Sequence, residues 1–231
     1  TFAFSRDGLG RLPYDASGGG ADIHSLLMMV HDDEGGWSPD HDDSFVVGLH
    51  GPGGSITLEP GGQFELSGRP LETVHEMKDE LDRHLARLEM LSGRLGVRWC
   101  WAGADPLSAL EHIPWMPKRR YAVMRNYLPT RGSLGIQMMK GTCTVQANLD
   151  YADETDMGLK LRTGMGLSSI VTALFANSPM AAGSRSGRLS MRAHIWTQTD
   201  PDRCGLPSWA FDGNSPTYER YTDYALAVPL F

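Results

Sequence analysis

Apolar positions along this chain follow two rhythms. Leu71, Val74, Met77, Leu81, Leu85, Leu88, Leu91 and Leu95 step by three or four, the spacing of one helix face, and predict a long helix with one buried stripe. Gly96 follows where a left-handed C-cap is expected. Ile23 to Val30, set off by Gly18-Gly19-Gly20, predicts a short apolar helix, while the rest of residues 1–43 reads as loop-rich. The rigid Pro114-Trp115-Met116-Pro117 leads into a helical stretch, Tyr121 to Tyr127. Gly132 to Met139 and Asp153 to Asn177 also carry helical signals, with Met157, Leu161 and Met165 at i+4.

The second rhythm is strict alternation. Thr142, Thr144, Gln146, Asn148 and Asp150 face one way, and Cys143, Val145, Ala147 and Leu149 the other, which predicts a strand. Leu189 to Trp196 repeats the pattern, with Ser190, Arg192, His194 and Trp196 on the polar face. Phe45–Leu49 and Val97–Ala102 read as further strands, the latter with Trp99 and Trp101 on one face. Ser55 to Leu66 reads as a hairpin around Pro60-Gly61-Gly62. No internal repeat or linker divides the chain, so residues 1–231 are expected to form one α+β domain.

The chemistry should lie on the polar strand faces. Either they meet water, as half-exposed antiparallel strands do, or they hold a ligand; Gln, Asn, Arg, His and Trp are unusual on a solvent face. The apolar faces are expected to pack on helices such as 71–95. His194 reads as a base or as a structural histidine. Around the hairpin turn, a three-residue loop would place Glu59, Gln63 and Glu65 on one face, whereas a two-residue loop would part Glu59 from Glu65. Paired carboxylates on one face suit a cation such as Mg²⁺. The stretches His31-Asp32-Asp33-Glu34 and Asp40-His41-Asp42-Asp43 read as oxygen and nitrogen ligands or as a solvated loop. Lys118-Arg119-Arg120, followed by Tyr121, offers guanidinium groups for a carboxylate or phosphate, or a solvated face.

Composition narrows this little further. With 41% hydrophobic and 21% charged residues, the chain has the make-up of a globular protein. A net charge of −7 argues against nucleic acid as a partner. The longest apolar run, Leu26 to Val30, is too short to span a membrane, and no secretory signal opens the chain. Cys100, Cys143 and Cys204 have no metal-like spacing and are too few for a disulfide framework, so free thiols and a cytoplasmic setting are expected.

Several long segments, in order, carry a resemblance. They are Leu58-Glu-Pro-Gly-Gly-Gln-Phe-Glu-Leu-Ser-Gly68, Met116-Pro-Lys-Arg-Arg-Tyr121, Met124-Arg-Asn-Tyr127, Thr142-Cys-Thr-Val-Gln-Ala-Asn-Leu-Asp150, Phe175-Ala-Asn-Ser-Pro179, Leu189-Ser-Met-Arg-Ala-His-Ile-Trp196 and Tyr221 to Pro229. Together they resemble glutamate–cysteine ligase of the plant and proteobacterial type, from about Ser55 to the end. The resemblance implies ATP-dependent joining of the glutamate γ-carboxylate to the cysteine amine through a γ-glutamyl phosphate, the first step of glutathione synthesis. It also implies a glutamine-synthetase-like curved antiparallel sheet with helices packed on one face.

By position, the resemblance implies that Glu59 and Glu65 hold Mg²⁺ against the ATP phosphates, with Gln146 and Asn148 supporting metal and phosphate. Arg120 and Arg192 would grip glutamate and the acyl phosphate, Thr144 would add a hydroxyl, and Tyr121 and Trp196 would line a cysteine pocket. The partners implied are glutamate, cysteine and ATP, in the cytoplasm or, for a plant-like source, a plastid; monomer and homodimer both stay open. Three departures stand out. The chain starts at Thr1, after the family's Glu-x-Glu metal strand, and is expected to lack both that strand and a C-terminal portion. Phe231 stands where the family usually has a cysteine-pocket tyrosine, and Lys78 where plant enzymes have a redox-switch cysteine. Two other readings therefore stay open: a non-catalytic fragment that keeps a glutamate- or nucleotide-binding face, and a sister ligase that joins glutamate to another amine.

Overall fold

The computed structural model describes residues 1–17 and 19–230. Gly18, part of the glycine separator, and Phe231 lie outside the described residues. The hydrophobic centre forms between antiparallel strands and two helices. Phe2–Ser5 (β1) pairs with Val97–Cys100 (β6), and Ser38–Asp42 (β2), Phe45–Gly51 (β3), Gly54–Leu58 (β4) and Phe64–Ser67 (β5) make a four-stranded meander. The two sheets meet where Thr1 and Phe64 exchange backbone hydrogen bonds of 2.9 Å in both directions, and where the Phe64 ring packs on Trp99 with centres 5.6 Å apart.

Ile23–Asp33 (α1) lies across β3 and presents Ile23, Leu26, Leu27 and Val30 to Leu49, Ile56, Leu58 and Phe64. Asp22 starts this helix, accepting the Ser25 N–H at 2.6 Å. Val74–Leu95 (α2) begins with a reciprocal capping box between Thr73 and Glu76 and ends at Gly96, whose φ of 65° is left-handed. Leu88 and Leu91 join the core. The stripe expected to be buried throughout is not: Val74, Met77, Leu81 and Leu85 are 66, 57, 53 and 41% exposed, because no described element covers that half of α2.

Arg119–Tyr127 (α3) and Gly135–Gly141 (α4) fall close to their predicted spans. Residues 38–42, read as loop, form strand β2, which is bulged between Asp40 and His41. Its Asp42 accepts the Arg119 backbone N–H at 2.9 Å and so closes the start of α3. Among the described residues no group of three or more His, Cys, Asp or Glu could hold a metal. In the acidic stretches Asp40 pairs with His50 and Asp42 with Arg119.

Two strand expectations are corrected. Residues 142–150 carry no ladder beyond a bridge between Ala104 and Thr142, and Val145 and Leu149 are 96 and 78% exposed. Alternation alone does not make a strand; its backbone groups need a neighbour, and the described residues supply none past Cys143. Residues 191–197 form a helix instead, Met191–Thr197 (α6), with the Ser190 hydroxyl accepting the Ala193 N–H at 3.2 Å. Met, Arg and Ala favour helix, and the helix buries Ile195 beside α4. Between α4 and α6 run Glu154–Leu174 (α5) and the short hairpin of Met180–Ala181 (β7) and Ser184–Arg185 (β8); Tyr218–Ala227 (α7) closes the described chain. The fold is mixed α and β with antiparallel sheets.

Candidate active site

The β4–β5 turn settles one open alternative. Thr57 pairs with Glu65 and Leu58 with Phe64, and the Glu59 N–H donates to the Gln63 carbonyl at 3.0 Å. The loop is therefore Pro60-Gly61-Gly62, and Glu59 and Glu65 share a face. Gln63 does not join them in a ligand set. Its amide donates to the carbonyls of Met139 (3.1 Å) and Thr142 (3.0 Å), and its Oε1 accepts the Gly61 N–H at 2.9 Å. The turn is further held by buried Arg11, which donates to the Gly61 carbonyl at 2.6 Å and to Asp105 at 2.9 Å. Asp105 in turn accepts the N–H groups of Leu107 and Ser108.

Glu59 is half-buried. Desolvation, then the charge of Glu65, raise its carboxyl above the ordinary value, while Lys118 and Arg120 oppose the rise. Lys118 donates to the Leu58 carbonyl at 2.8 Å and is itself lowered by burial. Tyr121 is core, only 2% exposed, and its hydroxyl donates to the same carbonyl at 2.5 Å. Arg120 is exposed, with its guanidinium 5.6 Å from the Tyr121 ring centre.

A cavity of about 1110 Å³ forms a second centre. Its wall includes Trp101, Thr144, Phe175, Arg192 and Trp196; Glu59, Glu65, Arg120 and Tyr121 are not part of it. Arg192 and Trp196, one helical turn apart on α6, stack with 5.5 Å from guanidinium to ring centre. Arg192 Nε and Trp196 Nε1 are buried and have no acceptor among the described residues. Burial lowers the Arg192 pKa, yet a guanidinium stays charged at neutral pH. Cys143 also lines the cavity, and burial pushes its thiol up to about 11, which leaves it protonated.

The remaining sequence candidates lie differently. Thr144 is exposed, with its hydroxyl on the Val145 carbonyl at 3.1 Å. Gln146 and Asn148 are exposed and bond to each other at 2.8 Å; Val145 and Ala147, of the opposite parity, line the cavity instead. His194 is half-buried on α6 and is not part of the wall. All three cysteines are free.

Sequence reasoning assigned no role to Arg11, Asp105, Asn177, Ser178 or Asp200. Asp200, 2% exposed, accepts from Arg203 at 2.7 Å, and Arg203 donates to the Tyr127 hydroxyl at 2.9 Å. Asn-Ser-Pro is ordinary loop chemistry, and a lone Arg or Asp carries no spacing signal. Only their place in the family-like segment from Phe175 to Pro179 marked Asn177 and Ser178.

A family model described as glutamate–cysteine ligase family 2 matches residues 8–231. The chain is 46% identical over 230 residues to the chloroplastic glutamate–cysteine ligase B of Oryza sativa subsp. japonica, covering all of this chain and 45% of that protein. It is 49% identical over 195 residues to the chloroplastic glutamate–cysteine ligase of Brassica juncea, covering 84% of this chain and 38% of that protein. The Arabidopsis thaliana counterpart is also 49% identical over 195 residues, with 84 and 37% covered. The chain thus spans less than half the length of the curated relatives it matches. With a family match running almost end to end over the turn, the cavity and the helices between them, the chain belongs to glutamate–cysteine ligase family 2.

Proposed function

We propose that the intact protein joins the γ-carboxylate of glutamate to the amine of cysteine, driven by ATP and by way of a γ-glutamyl phosphate. The observation that carries this reading is the pair of buried donors without acceptors, Arg192 Nε and Trp196 Nε1, at the wall of the large cavity. Buried donors seek acceptors, and a charged guanidinium beside an indole N–H suits a carboxylate or acyl phosphate. Thr144 and Asn177 line the same cavity and add polar groups for orientation.

The Glu59–Glu65 face fits Mg²⁺. Two carboxylates share it, and one of them is held high by burial and by the charge of the other, a tension that a cation relieves. Mg²⁺ commonly takes one or two carboxylates plus substrate phosphates; bound here it would neutralise phosphate charge during phosphoryl transfer. Lys118 and Arg120 supply further positive charge at this face. Amide formation from a free carboxylate is uphill, so the residues' part is positioning and charge neutralisation. The contact of the two antiparallel sheets through Thr1 and Phe64 supports one curved, glutamine-synthetase-like sheet. The acidic balance disfavours nucleic acid, and no described helix is long and apolar enough to cross a membrane. The relatives' names say chloroplastic, so a plastid setting is the preferred location and a cytoplasmic one the alternative.

The test is ADP release by the intact protein with glutamate, cysteine, ATP and Mg²⁺, leaving out each in turn. Release that needs all four, with Arg192→Ala raising the glutamate KM on the order of tenfold or more, is the expected result. Release with glutamate and a different amine would make it a sister ligase. No release from folded protein would leave a binding role.

A further inference from the structure

We propose that Ser178, braced by Asn177, is a positioning residue that sets Arg192 at the cavity wall; this rests on the reading of Arg192 as a carboxylate grip. Ser178 is 1% exposed, and each of its polar groups is committed to the start of α6. Its N–H donates to the Leu189 carbonyl (3.1 Å), its carbonyl accepts the Met191 N–H (2.9 Å), and its hydroxyl accepts the Arg192 N–H (3.1 Å). A helix leaves its first N–H groups without intrahelical partners. Here Ser190 caps Ala193 locally, while Met191 and Arg192 are satisfied by a residue more than ten positions upstream. The direction in which α6 leaves its first turn, and with it the line of the Arg192 side chain, is therefore set from outside the helix.

Asn177 ties the same point to the segment that follows β6 on the wall. Its Oδ1 accepts the Gly103 N–H at 3.0 Å and its Nδ2 donates to the Trp101 carbonyl at 3.1 Å. Gly103 makes this fit possible, since a Cβ there would lie 2.7 Å from Asn177 Oδ1 and 3.4 Å from Arg192 Cδ. The Arg192 side chain thus runs over a position without a side chain, held between Gly103 on one side and Ser178 behind it. Trp196, one turn along the same helix, moves with it. A guanidinium that must meet a carboxylate with two parallel bonds tolerates little misplacement.

The experiment is glutamate affinity, by calorimetry, and steady-state kinetics of the intact protein carrying Ser178→Ala, Ser178→Cys, Arg192→Lys and the Ser178→Ala/Arg192→Lys pair. Ser178→Ala should weaken glutamate binding on the order of tenfold with the ATP KM within about twofold, and Ser178→Cys, close in volume with a weak acceptor, should recover part of it. In the Arg192→Lys background Ser178→Ala should add little, because the effect runs through the guanidinium. Unchanged glutamate affinity in folded Ser178→Ala, or an undiminished effect in that background, overturns the proposal. Arg192→Ala with unaltered glutamate affinity would instead remove the underlying reading of Arg192. Should Ser178→Ala fail to fold, Asn177→Asp, which keeps the acceptor for Gly103 and loses the donor to Trp101, is judged by the same two criteria.

Discussion

His84 shows how strongly one residue's surroundings act here. Its ring stacks on Phe64, with centres 6.5 Å apart and planes at 12°, and Arg87 Nη1 stands 3.4 Å from its Nδ1. Burial, then the charge of Arg87, lower its pKa from 6.5 to about 4. Above pH 6.5 the imidazole is neutral whether the chain is folded or not. As pH falls from 6.5 towards 4 the unfolded chain takes up a proton that the folded chain refuses, so stability declines across that window, by up to about 3 kcal/mol. Urea unfolding of His84→Gln across this range should give a flatter curve than wild type; an equal slope would assign the acid loss to other groups. Arg11 and Asp105 make the opposite case, a pair 1 and 3% exposed at the side chain whose charges answer each other. Arg11→Met leaves a buried carboxylate and frees the Gly61 carbonyl, and should cost about 3–5 kcal/mol. A loss under about 1 kcal/mol in the same unfolding assay would mean that Asp105 finds water.

At the scale of elements, the turn and the long helices give contrasting predictions for the same substitution. A Cβ on Gly61 would sit 2.3 Å from the Lys140 carbonyl oxygen, a backbone atom that cannot swing aside, so Gly61→Ala should destabilise by about 1–3 kcal/mol or more. Gly164, within α5, has open space where a Cβ would lie, with nothing within 4 Å, and Gly164→Ala should stabilise by about 0.5–1 kcal/mol. A melting temperature that does not fall for Gly61→Ala would refute the packing at the turn, and one that falls for Gly164→Ala would refute the open space on α5.

Legibility in the sequence followed the range of the forces involved. The hairpin and the two long helices could be read because turn chemistry, caps and periodicity are local. Residues 142–150 misled because alternation says nothing about a neighbouring strand. Residues 189–196 misled because a separation of four is even: Arg192 and Trp196 share a face in a strand and in a helix alike. Their juxtaposition was therefore legible though the element was not; Ser190 stays with them on the cavity wall, while His194 lost the place the strand had given it. The clamp of Asn177 on Gly103, and the reach of Arg11 to Asp105, join residues 74 and 94 positions apart and leave no local trace.

At the scale of the whole molecule, burial is uneven. The core collects around α1, the last turns of α2 and the inner faces of β3 to β5, whereas long apolar stretches elsewhere meet solvent. On α5, Leu159, Ile170 and Leu174 are 66, 55 and 74% exposed, and only Gly158 is buried. A helix apolar on several sides normally lies inside a larger core, and contiguous apolar surface of this kind promotes association. The 231-residue chain in isolation should therefore bind a hydrophobic dye in native buffer. Replacing two of the four open positions of the α2 stripe, Leu81→Lys with Leu85→Glu, should lower that signal while changing stability by no more than about 0.5 kcal/mol each, as expected of side chains outside packed surroundings. A chain that unfolds on these two changes would show that the stripe is buried in solution after all. A chain that stays folded and loses dye would place its stability in the core of α1, the sheet and the last turns of α2, and leave Leu81 and Leu85 free of any part in it.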